Sequence, residues 1–118
     1  MNSNGMNNFP GNADGDALRR LAESGADMTS PMVINFAVAI PDEPTGKAIA
    51  LKASETGYNA SVDQDSESSE WICYCSRSMF ATYTGVINCQ LELDKIAVAY
   101  GGFVDGWGTF GNLDEGNR

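Results

Sequence analysis

Pro31 and Pro41 bracket nine residues, Met32 to Ile40, in which large and small side chains alternate. Ile34, Phe36, Val38 and Ile40 would point one way along an extended chain, and Val33, Asn35, Ala37 and Ala39 the other. This pattern predicts a strand with one face in a core and the other left partly wet. A second layer is then needed on one side of the sheet only. The next residues supply it. Asp42, Glu43 and Pro44 combine a cap, an acid near the positive dipole end and a proline in the first turn. The helix they open is predicted to run to about Thr56 and stop at Gly57. Gly46, Ile49, Ala50 and Ala53 form a stripe that lets it lie close to a sheet, with Lys47, Lys52 and Glu55 outside.

The remaining elements follow from the same signals. Residues 1–13 lack apolar periodicity and read as a flexible leader. Asp14 or Asp16 can cap a short helix through Leu18, Leu21 and Ala22, stopped by Gly25 and packed outside the domain. Tyr58 to Val62 is predicted as a second strand. The acidic hairpin tip of Asp63, Asp65, Glu67 and Glu70 follows, then a third strand from Trp71 to about Ser76. Thr82 or Thr84 can cap a second long helix with Val86, Cys89, Leu93, Ile96, Ala97 and Tyr100 on its apolar stripe. Gly101 and Gly102 end it. Phe103 to about Phe110 closes the pattern as a strand, and 111–118 is a polar, flexible tail. The chain thus predicts one α+β domain over 14–110, a ferredoxin-like β-α-β-β-α-β unit behind a short N-terminal helix. Its four-stranded antiparallel sheet carries two helices on one face.

Composition narrows the chemistry. With 118 residues, 42% of them hydrophobic, the chain can build one core but not two comfortable domains. No apolar run is long enough to span a bilayer, and the Asn- and Gly-rich start is no secretory signal, which points to the cytoplasm. Seven Lys and Arg against sixteen Asp and Glu give a net charge of -9. That field repels phosphate backbones and suits a partner with a basic surface, although solubility alone also explains it. Cys73, Cys75 and Cys89 are an odd set without metal-ligand spacing, so reduced core cysteines are expected, with no metal and no cofactor. The chain has no histidine, and neither a phosphate-binding loop nor a dinucleotide fingerprint. Catalysis is therefore not expected. Arg77 could bind an anion, but a salt-bridging or capping role fits it better.

Two segments stand out as candidate partner-binding sites. Asp105, Gly106, Trp107 and Gly108 lie on the last strand, where Asp105 and Trp107 are expected to share a face. The glycines between leave room for close approach. Trp107 would offer contact area and Asp105 a charge for a partner's Arg or Lys. The competing reading packs Trp107 over a helix end and has Asp105 cap a turn. The second segment is the acidic tip, where Asp63, Asp65, Glu67 and Glu70 could steer a basic partner or form a solvated loop.

The stretch Tyr100-Gly101-Gly102-Phe103-Val104-Asp105-Gly106-Trp107-Gly108-Thr109 resembles the ending of the regulator of ribonuclease activity B family, protein inhibitors of ribonuclease E. That family's closing strand reads Tyr-Asp-Gly-Trp, so Val104 is a departure. Gly25-Ala26-Asp27-Met28, Pro41-Asp42-Glu43, Gly57-Tyr58 and Arg77-Ser78-Met79 resemble further family segments in the same order. The last of these would lead into the second long helix. The likeness covers roughly residues 17–110. The family's long acidic tail has only Asp114 and Glu115 as a counterpart here. The resemblance implies a non-catalytic regulator of RNA turnover that binds ribonuclease E. A nucleic-acid-binding domain and a small-ligand-binding or enzymatic domain are the alternatives, in that order.

Overall fold

Asn12, Asp42 and Thr82 each turn a side-chain oxygen back onto the backbone N–H three residues ahead. Gly15, Thr45 and Gly85 donate at 2.9, 2.9 and 3.0 Å. These bonds satisfy donors that a helix start leaves open. They begin α1 (Ala13–Glu23), α2 (Glu43–Glu55) and α3 (Tyr83–Val98) in a computed structural model that describes residues 11–109. All three helices end on glycines at positive φ, Gly25, Gly57 and Gly101. In each case the following residue donates to a carbonyl five positions back: Ala26 to Leu21, Tyr58 to Ala53, and Gly102 to Ala97. The stops expected at these glycines are therefore real, each built on a backbone conformation that side chains resist.

The strands are β1 (Met32–Ile40), β2 (Asn59–Gln64), β3 (Trp71–Met79) and β4 (Phe103–Gly108). They form one antiparallel sheet in the order β2-β3-β1-β4. This is the α+β, ferredoxin-like arrangement that the sequence predicts, with α1 added in front. α2 and α3 pack on one face. Under them lie Met32, Ile34, Phe36 and Val38 of β1, Cys73 and Cys75 of β3, Ile49 of α2, and Val86 and Leu93 of α3, all fully or almost fully buried. Phe36 meets Tyr58 edge to face, with centroids 6.3 Å apart, a favoured aromatic geometry.

Several boundaries differ from the sequence reading. Asn12, not Asp14 or Asp16, caps α1, so residues 12 and 13 belong to the first helix and not to a leader. Residues 1–10 of that expected leader, and the tail expected over 111–118, lie outside the described residues, as does Phe110. Leu18 of α1 is fully buried, because α1 packs on α3. β2 begins after Tyr58 and runs on through Asp63 to Gln64. β3 continues through Arg77, Ser78 and Met79, which therefore lie on a strand, with residues 80–82 between them and α3. The register explains this extension: Arg77, Ser78 and Met79 pair with Ile34, Val33 and Met32 of β1. α3 stops at Val98, leaving Tyr100 outside its stripe and exposed.

Candidate functional site

The face of the sheet away from α2 and α3 has no described element over it. Its residues fall into three rows across all four strands. One row runs Asn59, Ser76, Asn35, Gly108; the next Ser61, Tyr74, Ala37, Gly106; the third Asp63, Ile72, Ala39, Phe103. Side chains in the first two rows are small or neutral and polar, except for Tyr74. They floor a trough of about 960 Å³ that extends past Val33 and Thr109. At the third row a second cleft of about 550 Å³ opens between Glu70, Trp71 and Ile72 on one side and Phe103 and Asp105 on the other. Ala37 borders both hollows.

A bulge in β4 shapes this face. Trp107 pairs with Phe36 and Gly106 with Ala37, but Val104, not Asp105, pairs with Val38. Asp105 is thus the extra residue of β4, and the bulge re-phases the alternation beyond it. Gly106 accommodates the shift at φ +153°, outside the range side chains favour. Asp105 and Trp107 consequently do not share a face. Asp105 lines the open cleft beside Ala37 and Ala39. Trp107 packs against the core and donates its indole N–H to Asp14 of α1 at 2.8 Å. The same carboxylate accepts from Gln90 of α3 at 3.1 Å, and Asn12 donates to the Tyr83 hydroxyl at 2.9 Å. Trp107 therefore fastens α1 to the edge of the sheet, as the packing reading of this residue expects.

The acidic tip divides as well. Asp65 accepts from the backbone N–H groups of Glu67 and Ser68 at 2.8 and 3.4 Å, which holds its carboxyl below the usual range. It builds the turn. Glu67 sits exposed at the tip, whereas Asp63 and Glu70 flank the open face. The structure thus brings Glu70 and Asp105, from the two separate candidate segments, onto one cleft. Asp63 stands on the row beneath it. These three carboxylates have no hydrogen bond or ion pair among the described residues.

The cations lie elsewhere. Arg19 and Arg20 are on α1, Lys47 and Lys52 on α2, and Lys95 on α3. Arg77 is on β3 but on its helix-covered side, with its guanidinium 4.0 Å above the Tyr58 ring. It donates to the Thr56 carbonyl at the end of α2 at 2.9 Å, so it caps that helix. The Tyr58 hydroxyl donates to Glu92 at 2.7 Å. Burial, reinforced by bonds to Cys89 and Glu92, raises the Tyr58 pKa well above its ordinary value. No Lys or Arg among the described residues stands on the open face.

The cysteines are core residues. Cys73 and Cys75 are fully buried with sulfurs 3.8 Å apart, and Cys89 is buried against Met79. The bond to Cys73, together with burial, pushes the Cys75 thiol up, which disfavours its nucleophilic form. No charged side chain among the described residues is buried. Nor is any group of three or more Asp, Glu or Cys among them placed to hold a metal ion. No described helix is long and apolar enough to cross a membrane.

Reading the sequence by segments did not single out Asn35, Asn59, Ser61, Tyr74 and Ser76. The signal was present: on β3, Tyr74 and Ser76 alternate with the buried Cys73 and Cys75. Compared with known proteins, residues 11–109 match the sequence model of a family described as regulator of ribonuclease activity B. No curated protein matches the chain.

Proposed function

From the premise that this chain belongs to the regulator of ribonuclease activity B family, we propose that it is a cytoplasmic, non-catalytic regulator of RNA turnover that binds ribonuclease E or a nuclease like it. The observation that carries the proposal is the reach of the family match. It spans residues 11–109, the whole described domain, so no described module beside it is left to host another activity. The chemistry agrees. The chain has no histidine, the commonest acid–base group, and no charged side chain among the described residues is buried. A regulator needs only a surface that its target recognises, and the open sheet face offers unengaged carboxylates to a basic one. Of the sequence candidates, Asp63, Glu70 and Asp105 are proposed to contact the partner. Asp65 and Trp107 support the turn and α1, Gly106 and Gly108 keep the floor low, and Glu67 adds only to the field.

Nucleic acid is a poorer ligand for this face. Ferredoxin-like RNA binders stack bases on sheet aromatics beside cations that meet the phosphates. Here Tyr74 and Phe103 are accompanied by carboxylates instead.

The test is a titration of purified ribonuclease E, cleaving a short RNA, with the chain. Cleavage is expected to change up to a fixed molar ratio and then level off, and the chain alone should leave the RNA intact. Binding should weaken several-fold between low and physiological salt, as screening of exposed charges requires. Unchanged nuclease activity with no detectable complex at low salt refutes the proposal, as does RNA cleavage by the chain itself.

A further inference from the structure

We propose that the open sheet face docks one extended, cation-bearing peptide segment of a protein partner, with Asp63, Glu70 and Asp105 receiving its Arg or Lys side chains. The inference rests on the reading that this chain works by binding a protein, and it specifies where and what.

The first argument is the division of labour among the acids. Asp42 caps α2, Asp65 closes the hairpin turn, and Asp14 anchors Trp107. Asp94 accepts the Val104 backbone N–H, and Glu92 accepts the Tyr58 hydroxyl. Each has a structural task. Asp63, Glu70 and Asp105 have none among the described residues, yet the end of β2, the entry to β3 and the bulge of β4 bring them to one end of one face. The second argument is charge. The Lys and Arg residues of the described chain all lie on the helical layer or beneath the sheet, so this face attracts cations without an internal competitor. The exposed Leu51, Leu91 and Val98 of α2 and α3 make a poorer site for such a partner, because Lys47, Lys52 and Lys95 share those helices.

Shape then selects an extended segment. Ala37, Ser61, Gly106 and Gly108 keep the floor low enough for a backbone to approach. Asn35, Asn59 and Ser76 can satisfy its polar groups, and Tyr74, Phe103 and Val33 give it apolar contact, the last two both 54% exposed. Strands β2 and β4 are six residues long, so the face is roughly 20 Å along the strands and matches about six extended residues. A segment without structure of its own fits such a face and carries its charges on flexible side chains.

The experiment uses the full chain, isotopically labelled for amide NMR. The probe is a synthetic eight-residue peptide of three arginines, one phenylalanine and glycines. Saturable shifts are expected at Asn35, Ser61, Tyr74, Ser76 and the bulge, with the amides of Leu51 and Leu91 unmoved. The triple substitution Asp63→Asn, Glu70→Gln, Asp105→Asn should weaken binding about tenfold, the sum of three modest exposed ion pairs. An equal-charge control, Asp16→Asn, Glu23→Gln, Glu55→Gln, should change it by less than about twofold, because those acids stand on α1 and at the C-terminal end of α2 and not on the face. Equal weakening by both variants, shifts centred on the helices, or tighter binding of an eight-nucleotide single-stranded RNA overturns the proposal. The two readings also separate. If the sheet variant still retains ribonuclease E as the wild type does, the docking surface is wrong and the regulator reading stands. If the peptide docks on the sheet but the wild type retains no ribonuclease E, the regulator reading fails and the docking surface stands.

Discussion

The two faces of one sheet could hardly be more different, and β1 makes the comparison within nine residues. Met32, Ile34, Phe36, Val38 and Ile40 are buried beneath the helices, while Val33, Asn35, Ala37 and Ala39 are exposed or half-exposed on the reverse. On the covered side, large apolar groups interlock and Arg77 lies against an aromatic ring. On the open side, most side chains are small or neutral and polar, and the charges at one end share a sign. Stability therefore resides on the first face. The second adds less, since small side chains in water contribute little to folding.

The comparison is most easily broken at adjacent residues. Phe36→Ala empties the centre of the core and should cost about 3–5 kcal/mol, as truncation of a fully buried aromatic usually does. Ala37→Ser, one residue along and on the other face, should stay within about 0.5 kcal/mol. Urea unfolding of both variants checks this. Similar losses at the two positions would mean that the open face is covered by something and that its residues carry fold stability after all.

How far the sequence disclosed this division depends on where each signal resides. β1, the start of α2 and the glycine stops of the helices were legible, because prolines, capping side chains and glycines act locally. The start of α1 was not, since Asn12 and not Asp14 or Asp16 caps it. The strand extension through Arg77 and Ser78 was not legible either. Its residues are polar, and only pairing with β1 makes them a strand. Asp105 and Trp107 were misplaced for a related reason. Strict alternation puts them on one face, whereas the bulge that separates them exists only relative to β1. Gly106 was the available clue, since a glycine inside a strand often marks such a site. The acids also look alike in sequence. Which of them work inside the fold and which are free emerges only from their donors.

That bulge allows a sharper test of smaller effect. Gly106→Ala meets no steric obstacle, since an added Cβ has nothing within 4 Å, but the backbone stays at φ +153°. Strain alone should cost about 1 kcal/mol and loosen the phase that sends Asp105 to one face and Trp107 to the other. Gly108→Ala, also in open space on the same strand and free of that φ, should be nearly silent. Thermal unfolding together with Trp fluorescence reads both. Equal effects at 106 and 108 would show that the bulge is not held by its glycine.

The smallest expected effects separate a structural acid, read by pH, from an unengaged one, read by stability alone. Thr45, through its side chain first and its backbone N–H second, holds the Asp42 carboxyl below its ordinary value of 3.8. A depressed folded pKa stabilises the folded chain when ionised. The contribution is therefore complete well above 3.8 and is lost as pH falls through the lower, folded value. Asp42→Asn keeps a capping oxygen but no longer titrates. The gap in stability between this variant and the wild type should then narrow on acidification from pH 5 to below 3.8. Asp105→Asn, on the open face, removes a carboxylate with no described donor and should leave stability at neutral pH within about 0.5 kcal/mol of the wild type. Denaturant unfolding at several pH values measures both. A loss of more than about 1 kcal/mol at Asp105 would reveal a donor bound to it in the folded chain, and the open face would lose one of its three unengaged charges.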